Sequence, residues 1–252
     1  MLEWLFWMPV GSEMQEMLLF SAVLWTIHQV FAVGTSFGFT YMHKNNWKSN
    51  LRFANGKAPK EKQISLAWKE WFLNHFLVLP LLMSLVLYPL FVHGGGAVDE
   101  AWPSIFEVAL HITICVFVNE TIFYFSHRCL HHKTLFRLIH RKHHTFRHVR
   151  PVCSEYAHPF ENFLNLIAMY AGLVLLGSHF ITWSLWVAIR IYETNDGHSG
   201  YEHIDSASRH AYHHLFPTKG CFGTALGFWD WVLGTDQKWR DWKNKQSTKK
   251  SA

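Results

Sequence analysis

Cysteine is scarce: the 252 residues hold four, Cys115, Cys129, Cys153 and Cys221, none in a C-x2-C pair and none spaced as a disulfide framework. This excludes a thiolate zinc module and a disulfide-stapled secreted fold, and leaves free thiols suited to a reducing, cytosol-facing environment. Charge is also sparse, at 16% of residues. Lys and Arg outnumber Asp and Glu by 23 to 18, for a net charge of +5, yet they form no continuous basic arm, so no nucleic-acid partner is expected. Residues 1–16 contain Glu3, Glu13 and Glu16 but no Lys or Arg, so a cleavable signal peptide is not expected there. No internal repeat is present, which excludes a solenoid.

What is abundant is apolar and aromatic. Half of the residues are hydrophobic, with 21 Phe and 13 Trp in a chain whose length suits one domain, and that composition belongs in a bilayer. After a membrane-edge start carrying Trp4 and Trp7, three apolar stretches are long enough to span: Met17 to about Met42, Trp71 to about Val92 with Pro80 and Pro89 as tolerated kinks, and about Ser104 to Ser126. Phe163 to about Tyr192 is too long for one ordinary span and reads as two short helices folded back, returning to the side it left. Between His43 and Glu70 lie seven Lys and Arg, against an acidic turn from Gly94 to Pro103 with Asp99 and Glu100. The basic loop is therefore expected in the cytosol and the turn in the lumen. The expectation is an all-α integral membrane protein of about four transmembrane helices, arranged as two pairs or hairpins, with a cytosolic histidine-rich helical cap. Residues 1–126 would form the spans and 127–252 the cap, including the 163–192 hairpin. The tail TKKSA, with Lys249 and Lys250, is similar to a dilysine retrieval signal of endoplasmic reticulum membrane proteins.

The distinctive feature is histidine. His127, His131 and His132 form H-x3-H-H, His140, His143 and His144 form H-x2-H-H, and the second spacing recurs at His210, His213 and His214. Positions i, i+3 and i+4 share one face of a helix, so each H-x2-H-H can aim its imidazoles at one point, and His127 with His131 can do likewise. Imidazole suits iron, zinc, copper and nickel, and so many nitrogens exceed what one four-coordinate zinc can use. A site for two metal ions is expected. A plain histidine tract would run in blocks, without repeated gaps interleaved with Leu130, Leu135, Phe136, Leu138 and Ile139. His28, inside the first span and outside every box, reads as a packing residue. Glu120, seven residues before His127, lies on the same face of the third span, where an acid invites a functional role as orienter of a ligand or lining of a lipid path.

Taken in order, HRCLHH, IHRKHH, EYAHPFEN, RIYETNDGHSGYE, SRHAYHH and FWDWVLGTD resemble the fatty acid hydroxylase and sterol desaturase superfamily, with the nearest likeness to the C-4 methylsterol monooxygenases, over about residues 117–236. The resemblance implies a non-haem diiron centre, dioxygen as oxidant, electrons from NAD(P)H by way of cytochrome b5 and its reductase, and an endoplasmic reticulum membrane location. It makes His127, His131, His132, His140, His143, His144, His210, His213 and His214 the box ligands, adds His198 of GHSGY, and offers His203 for a nitrogen that the shorter third box lacks. His158, Glu155, Glu161 and Asn195, with Glu120, are implied as groups that orient ligands or line the substrate path. Zinc can replace iron in purified protein. The implied reaction is oxidation of an unactivated lipid C–H bond, first the C-4 methyl group of a sterol, with sterol desaturation and fatty acid or sphingolipid hydroxylation as alternatives. Two other readings differ in class. A metal transporter should carry its ligands on broken helices at mid-membrane, whereas these boxes follow the spans. An inactive lipid-binding scaffold would not need intact boxes.

The topology has a direct test. A glycosylation site placed at Gly95 should be modified in microsomes, and one between Lys133 and Leu135 should not; the opposite pattern contradicts the charge argument.

Overall fold

The computed structural model describes residues 11–53, 59–98 and 101–251. Trp4, Trp7, Lys57, Asp99 and Glu100, which entered the topology expectation, lie outside that set. Among the described residues the fold is helical, without a strand; Arg52 and Tyr201 make an isolated bridge.

Three helices are long and apolar enough to cross a membrane: α1 (Ser12–Lys44), α2 (Glu61–His93) and α3 (Ile105–Leu130). The 163–192 segment divides, as expected, into two helices, α5 (Pro159–Leu175), apolar but only 17 residues long, and α6 (Phe180–Gly197); neither is among the three, so the described residues give three candidate spans where about four were expected. Between α3 and α5 a short α4 (Lys133–Leu135) runs into a π turn over Phe136–His140. The cap is completed by α7 (Asp205–Leu215), α8 (Phe228–Val232) and α9 (Gln237–Ser251). Two expected boundaries move. α2 begins at Glu61, ten residues before Trp71, so part of the basic loop is helix, and α3 continues past Ser126 to carry His127 on its last turn. Asn195-Asp196-Gly197, residue types that favour turns, is instead the last turn of α6. Burial of Asn195 explains this, since its Nδ2 donates to Thr35 Oγ1 at 2.7 Å.

Each long helix has two unlike sides. α1 buries Phe20, Leu24, His28, Ala32 and Ser36, every fourth residue, so one narrow stripe faces inward. Phe20 stacks on Phe91 of α2 at 4.8 Å between ring centroids and meets Trp183 of α6 edge-on at 5.7 Å. Small residues farther along the stripe, Ala32 and Ser36, allow close backbone approach. The outer sides expose Leu18, Val30 and Phe37 on α1, Phe76 and Leu85 on α2, and Phe106 and Leu110 on α3. In water such faces would be sticky patches; hydrocarbon is the solvent they suit. Within α2, π turns over Asn74–Val78 and Met83–Leu87 each end two residues before a proline. The wider turn accommodates the lost N–H and the ring clash that proline brings to a helix.

α3 and α5 pack at a glycine. A Cβ at Gly172 would lie 2.9 Å from Cys115 Sγ and 3.1 Å from its Cα, so the closest approach depends on hydrogen at that position. Beneath the cap, Phe53, Val149, Ala211, Tyr212, Cys221 and Trp239 form a second, smaller core that holds α7 in place. Gly172→Leu should cost about 1–3 kcal/mol by overpacking, read as a lower melting temperature in detergent; an unchanged midpoint would mean the two helices are not in close contact.

Candidate metal centre

Nine histidines converge in two adjoining groups. His127, His131, His140, His144 and His213 form one, and His143, His198, His210 and His214 form the other. Each group brings all its candidate ligand atoms within 4.8 Å of one another. The groups abut where His144 and His214 lie 4.7 Å apart between ring centroids.

The two H-x2-H-H boxes do not each serve one point as expected; both straddle the groups. On α7, His210 and His214 turn to the second group and His213 to the first, because residues i+3 and i+4 differ in direction by about 100° around a helix. The 140–144 box is not α-helical at all. His140 ends a π turn closed by Arg141 N donating to Phe136 O at 2.7 Å, and His143 and His144 follow on a 3₁₀ turn. His140 and His144 enter the first group and His143 the second. Lys142 anchors the segment, donating to Glu70 Oε1 on α2 at 2.6 Å and to Ala157 O at 2.7 Å.

Backbone carbonyls aim the rings. The Nδ1–H groups of His127, His213, His198 and His214 donate to Phe222 O (2.8 Å), Gly220 O (2.9 Å), Thr194 O (2.8 Å) and Phe146 O (2.9 Å). A carbonyl only accepts, so each of these neutral rings keeps its proton on Nδ1 and presents a bare Nε2 lone pair. Those lone pairs point at one another. His140 Nε2 lies 3.0 Å from each of His127, His131 and His144 Nε2, and His213 Nε2 lies 3.1 Å from His131 and His144. In the second group, His210 Nε2 is 3.0 Å from His198 and 3.2 Å from His214, and His198 is 3.4 Å from His143. One ring proton cannot serve three neighbours, so hydrogen bonding does not account for the convergence. A cation at each focus would. Nitrogens bound at right angles at about 2.1 Å lie about 3.0 Å apart, against about 3.4 Å for a tetrahedron, so the first group suits a higher-coordinate ion better than structural zinc.

The electrostatics agree. Burial, followed by the neighbouring imidazoles, holds His143, His144, His210, His213 and His214 well below the usual imidazole pKa of 6.5, and burial takes His198 down to about 4. The rings are therefore neutral near pH 7, the protonation state a metal needs.

A cavity of about 270 Å³ opens onto His127, His140, His143, His198 and His210. The fatty acid hydroxylase family model matches residues 112–235, from within α3 to the end of the glycine- and tryptophan-rich run. Methylsterol monooxygenase 2-2 of Arabidopsis thaliana is 33% identical over 216 residues, spanning 81% of this chain and 77% of that protein. The chain belongs to the fatty acid hydroxylase family. Methylsterol monooxygenase 1 of Rattus norvegicus is 31% identical over 68% of this chain and 62% of its own, and a very-long-chain aldehyde decarbonylase of Oryza sativa subsp. japonica is 32% identical over 62% and 63%. No solved structure matches the chain.

Several expected residues of this fatty acid hydroxylase family member lie outside the two groups. His132 is exposed, because α3 ends at Leu130 and His132 takes up the extended conformation that starts α4. His203 faces Asp196 Oδ1 at 3.0 Å instead of a group. His158 caps α5, its Nδ1 accepting from Phe160 N at 3.2 Å. Of the supporting residues, Glu161 is buried with Oε1 2.9 Å from His140 Nδ1, and burial pushes its carboxyl pKa up to about 9. Glu120 touches no histidine ring. It accepts from Thr224 Oγ1 and from Phe228 N at 3.0 Å, while Asp230, missed in the sequence, accepts from Phe222 N (2.9 Å) and Gly223 N (2.7 Å). Together they fasten the loop whose Phe222 and Gly220 carbonyls aim His127 and His213. Gly220 is left-handed, at φ 98°, and a Cβ there would collide with the Thr235 carbonyl. Glu155 lines the cavity elsewhere, and Asn195 touches the next residue along, its Oδ1 accepting from Ser154 Oγ at 3.1 Å.

With any bound metal removed by a chelator, the protein should melt highest above pH 7 and lose stability as pH falls from 6.5 towards 4. Unfolded imidazoles take up protons below 6.5, whereas His198 in the fold does so only near 4, so acid favours the unfolded chain. A melting temperature independent of pH across that window would contradict a neutral buried cluster.

Proposed function

We propose that this family member is a membrane-bound non-haem diiron oxygenase that oxidises an unactivated C–H bond of a lipid, first the C-4 methyl group of a sterol. The observation that carries the reading is the convergence of nine Nε2 lone pairs on two points at one end of an apolar cavity. His127, His131, His140, His144 and His213 would hold one iron, and His143, His198, His210 and His214 the other. When bound, the irons supply activation of dioxygen and an oxidising power that no side chain possesses.

The chain supplies the rest. Val78, Leu79, Leu82, Leu166 and Met169 line the cavity, hold hydrocarbon and exclude water. The carbonyls of Phe222, Gly220, Thr194 and Phe146 hold the Nδ1 protons of His127, His213, His198 and His214, so those rings stay oriented, and Glu161 lies beside His140 Nδ1. Arg128, Lys133, Arg137, Arg141 and Arg147 are exposed around the histidine segment and form a basic rim. That rim suits an acidic electron carrier such as cytochrome b5, fed by NAD(P)H through its reductase, at the cytosolic face of the endoplasmic reticulum membrane. Similarity to a very-long-chain aldehyde decarbonylase gives a second reading weight, in which the lipid is a long-chain aliphatic one and the reaction a hydroxylation or desaturation. Metal transport is disfavoured because the histidine groups gather at helix ends under a packed cap, away from mid-membrane.

Reconstitution with cytochrome b5, its reductase, NADPH and a 4,4-dimethyl sterol should give a sterol oxidised at a C-4 methyl carbon, at a rate that falls as salt rises. His144→Ala and His213→Ala should each lower turnover at least 100-fold, and His132→Ala less than threefold. Oxidation of a straight-chain lipid with the sterol untouched would favour the second reading; full activity of either box variant would overturn the ligand set.

A further inference from the structure

A third polar cluster sits on the cavity wall, in the spans themselves. His28 of α1, His75 of α2 and Glu155, from the loop before α5, bring their candidate ligand atoms within 4.8 Å of one another. His75 is fully buried, stacked on Trp71 at 3.8 Å between ring centroids, and lies on the π turn Asn74–Val78. Its Nε2 is 3.0 Å from both oxygens of Glu155, and its Nδ1 is 2.9 Å from Gln29 Oε1. Both His28 and Glu155 face the cavity that opens onto the two histidine groups.

We infer that His28 and Glu155 form a recognition subsite for a hydroxyl group of the lipid substrate. His28 Nε2 stands 3.9 Å from Glu155 Oε1, too far for a direct hydrogen bond. An oxygen atom about 2.8 Å from each fits between them. That atom must accept from His28 and donate to the carboxylate, and a hydroxyl is the smallest lipid group that does both. His28 Nδ1 is buried without a hydrogen-bond partner, which leaves the ring proton to Nε2, the side facing the gap. His75 holds Glu155 in place from behind. Charged groups in a span are retained for a function far more often than for packing. Arg190 and Glu193, also on the cavity wall, form an ion pair with each other.

The subsite lies close to the metal groups along the chain of contacts. Ser154, next to Glu155, donates to Asn195, and Asn195 lies one helical turn before His198 on α6. His28, Glu155, His143, His198 and His210 line one cavity, so a molecule held by its hydroxyl at the subsite shares that space with the second histidine group, and the substrate class is a lipid alcohol. This rests on the cavity being the lipid site proposed above.

The test compares each alcohol with its methyl ether, which keeps the acceptor and loses the donor. Equilibrium binding is measured on zinc-loaded protein, where nothing turns over, for a 4,4-dimethyl sterol and for hexadecanol, each against its ether. The protein should prefer the alcohol at least fivefold in one or both pairs, and the preference should fall below twofold in His28→Leu or Glu155→Leu with the metal content unchanged. Discrimination in the hexadecanol pair alone would keep the subsite while removing the sterol reading. Equal binding of alcohol and ether, no binding of either alcohol, or a preference that survives both substitutions would overturn the subsite. So would three zinc ions per chain falling to two in His28→Leu, which would make the cluster a cation site.

Discussion

Nine imidazole nitrogens gathered in two groups, each 3.0–3.4 Å from at least one neighbour and with lone pairs facing inward, repel unless positive charge lies between them. The rest of the molecule is arranged to sustain that convergence. Every element that carries one of these histidines is fixed by a different part of the fold: α3 by its packing against α5, α6 by α1, the 140–144 segment by Lys142 and Glu70, and α7 by the small core under the cap. Only when these are assembled do two foci exist, so the converging set belongs to the tertiary fold and not to any one box.

The orientation of the rings rests on the backbone. Four Nδ1–H groups end on carbonyls, and two of those carbonyls belong to a loop that Glu120 and Asp230 tie down through its own N–H groups and the Thr224 hydroxyl. Glu120, buried within a span, therefore bears on the histidine groups through the loop and not by touching a ring. The cavity then joins the centre to the hydrocarbon-facing part of the protein, which lets an apolar molecule reach groups that burial keeps neutral.

Much of this was legible in the chain. Long apolar stretches gave the three helices able to span, and the repeated gaps of 140–144 and 210–214 singled out histidines that converge, because those signals are local. The division of each box between two foci was not legible. It depends on a π turn at Phe136–His140 and on the 100° between His213 and His214, and only the second follows from helical geometry. His132 satisfied the spacing but fell beyond the end of α3, where the chain turns its ring outward. His203 found Asp196, a partner that spacing to the boxes does not reveal. His28, His75 and Glu155 lie too far apart in the chain for any pattern to join them; the one hint was polarity inside an apolar stretch.

Metal analysis combined with X-ray absorption tests the central claim most directly. The account predicts two ions per folded chain, each with a first shell dominated by nitrogen and with the outer-shell scattering of imidazole, and loss of both signatures when His144 and His214, the rings that join the two groups, are replaced together. One ion per chain, or a first shell dominated by oxygen or sulfur, would contradict it.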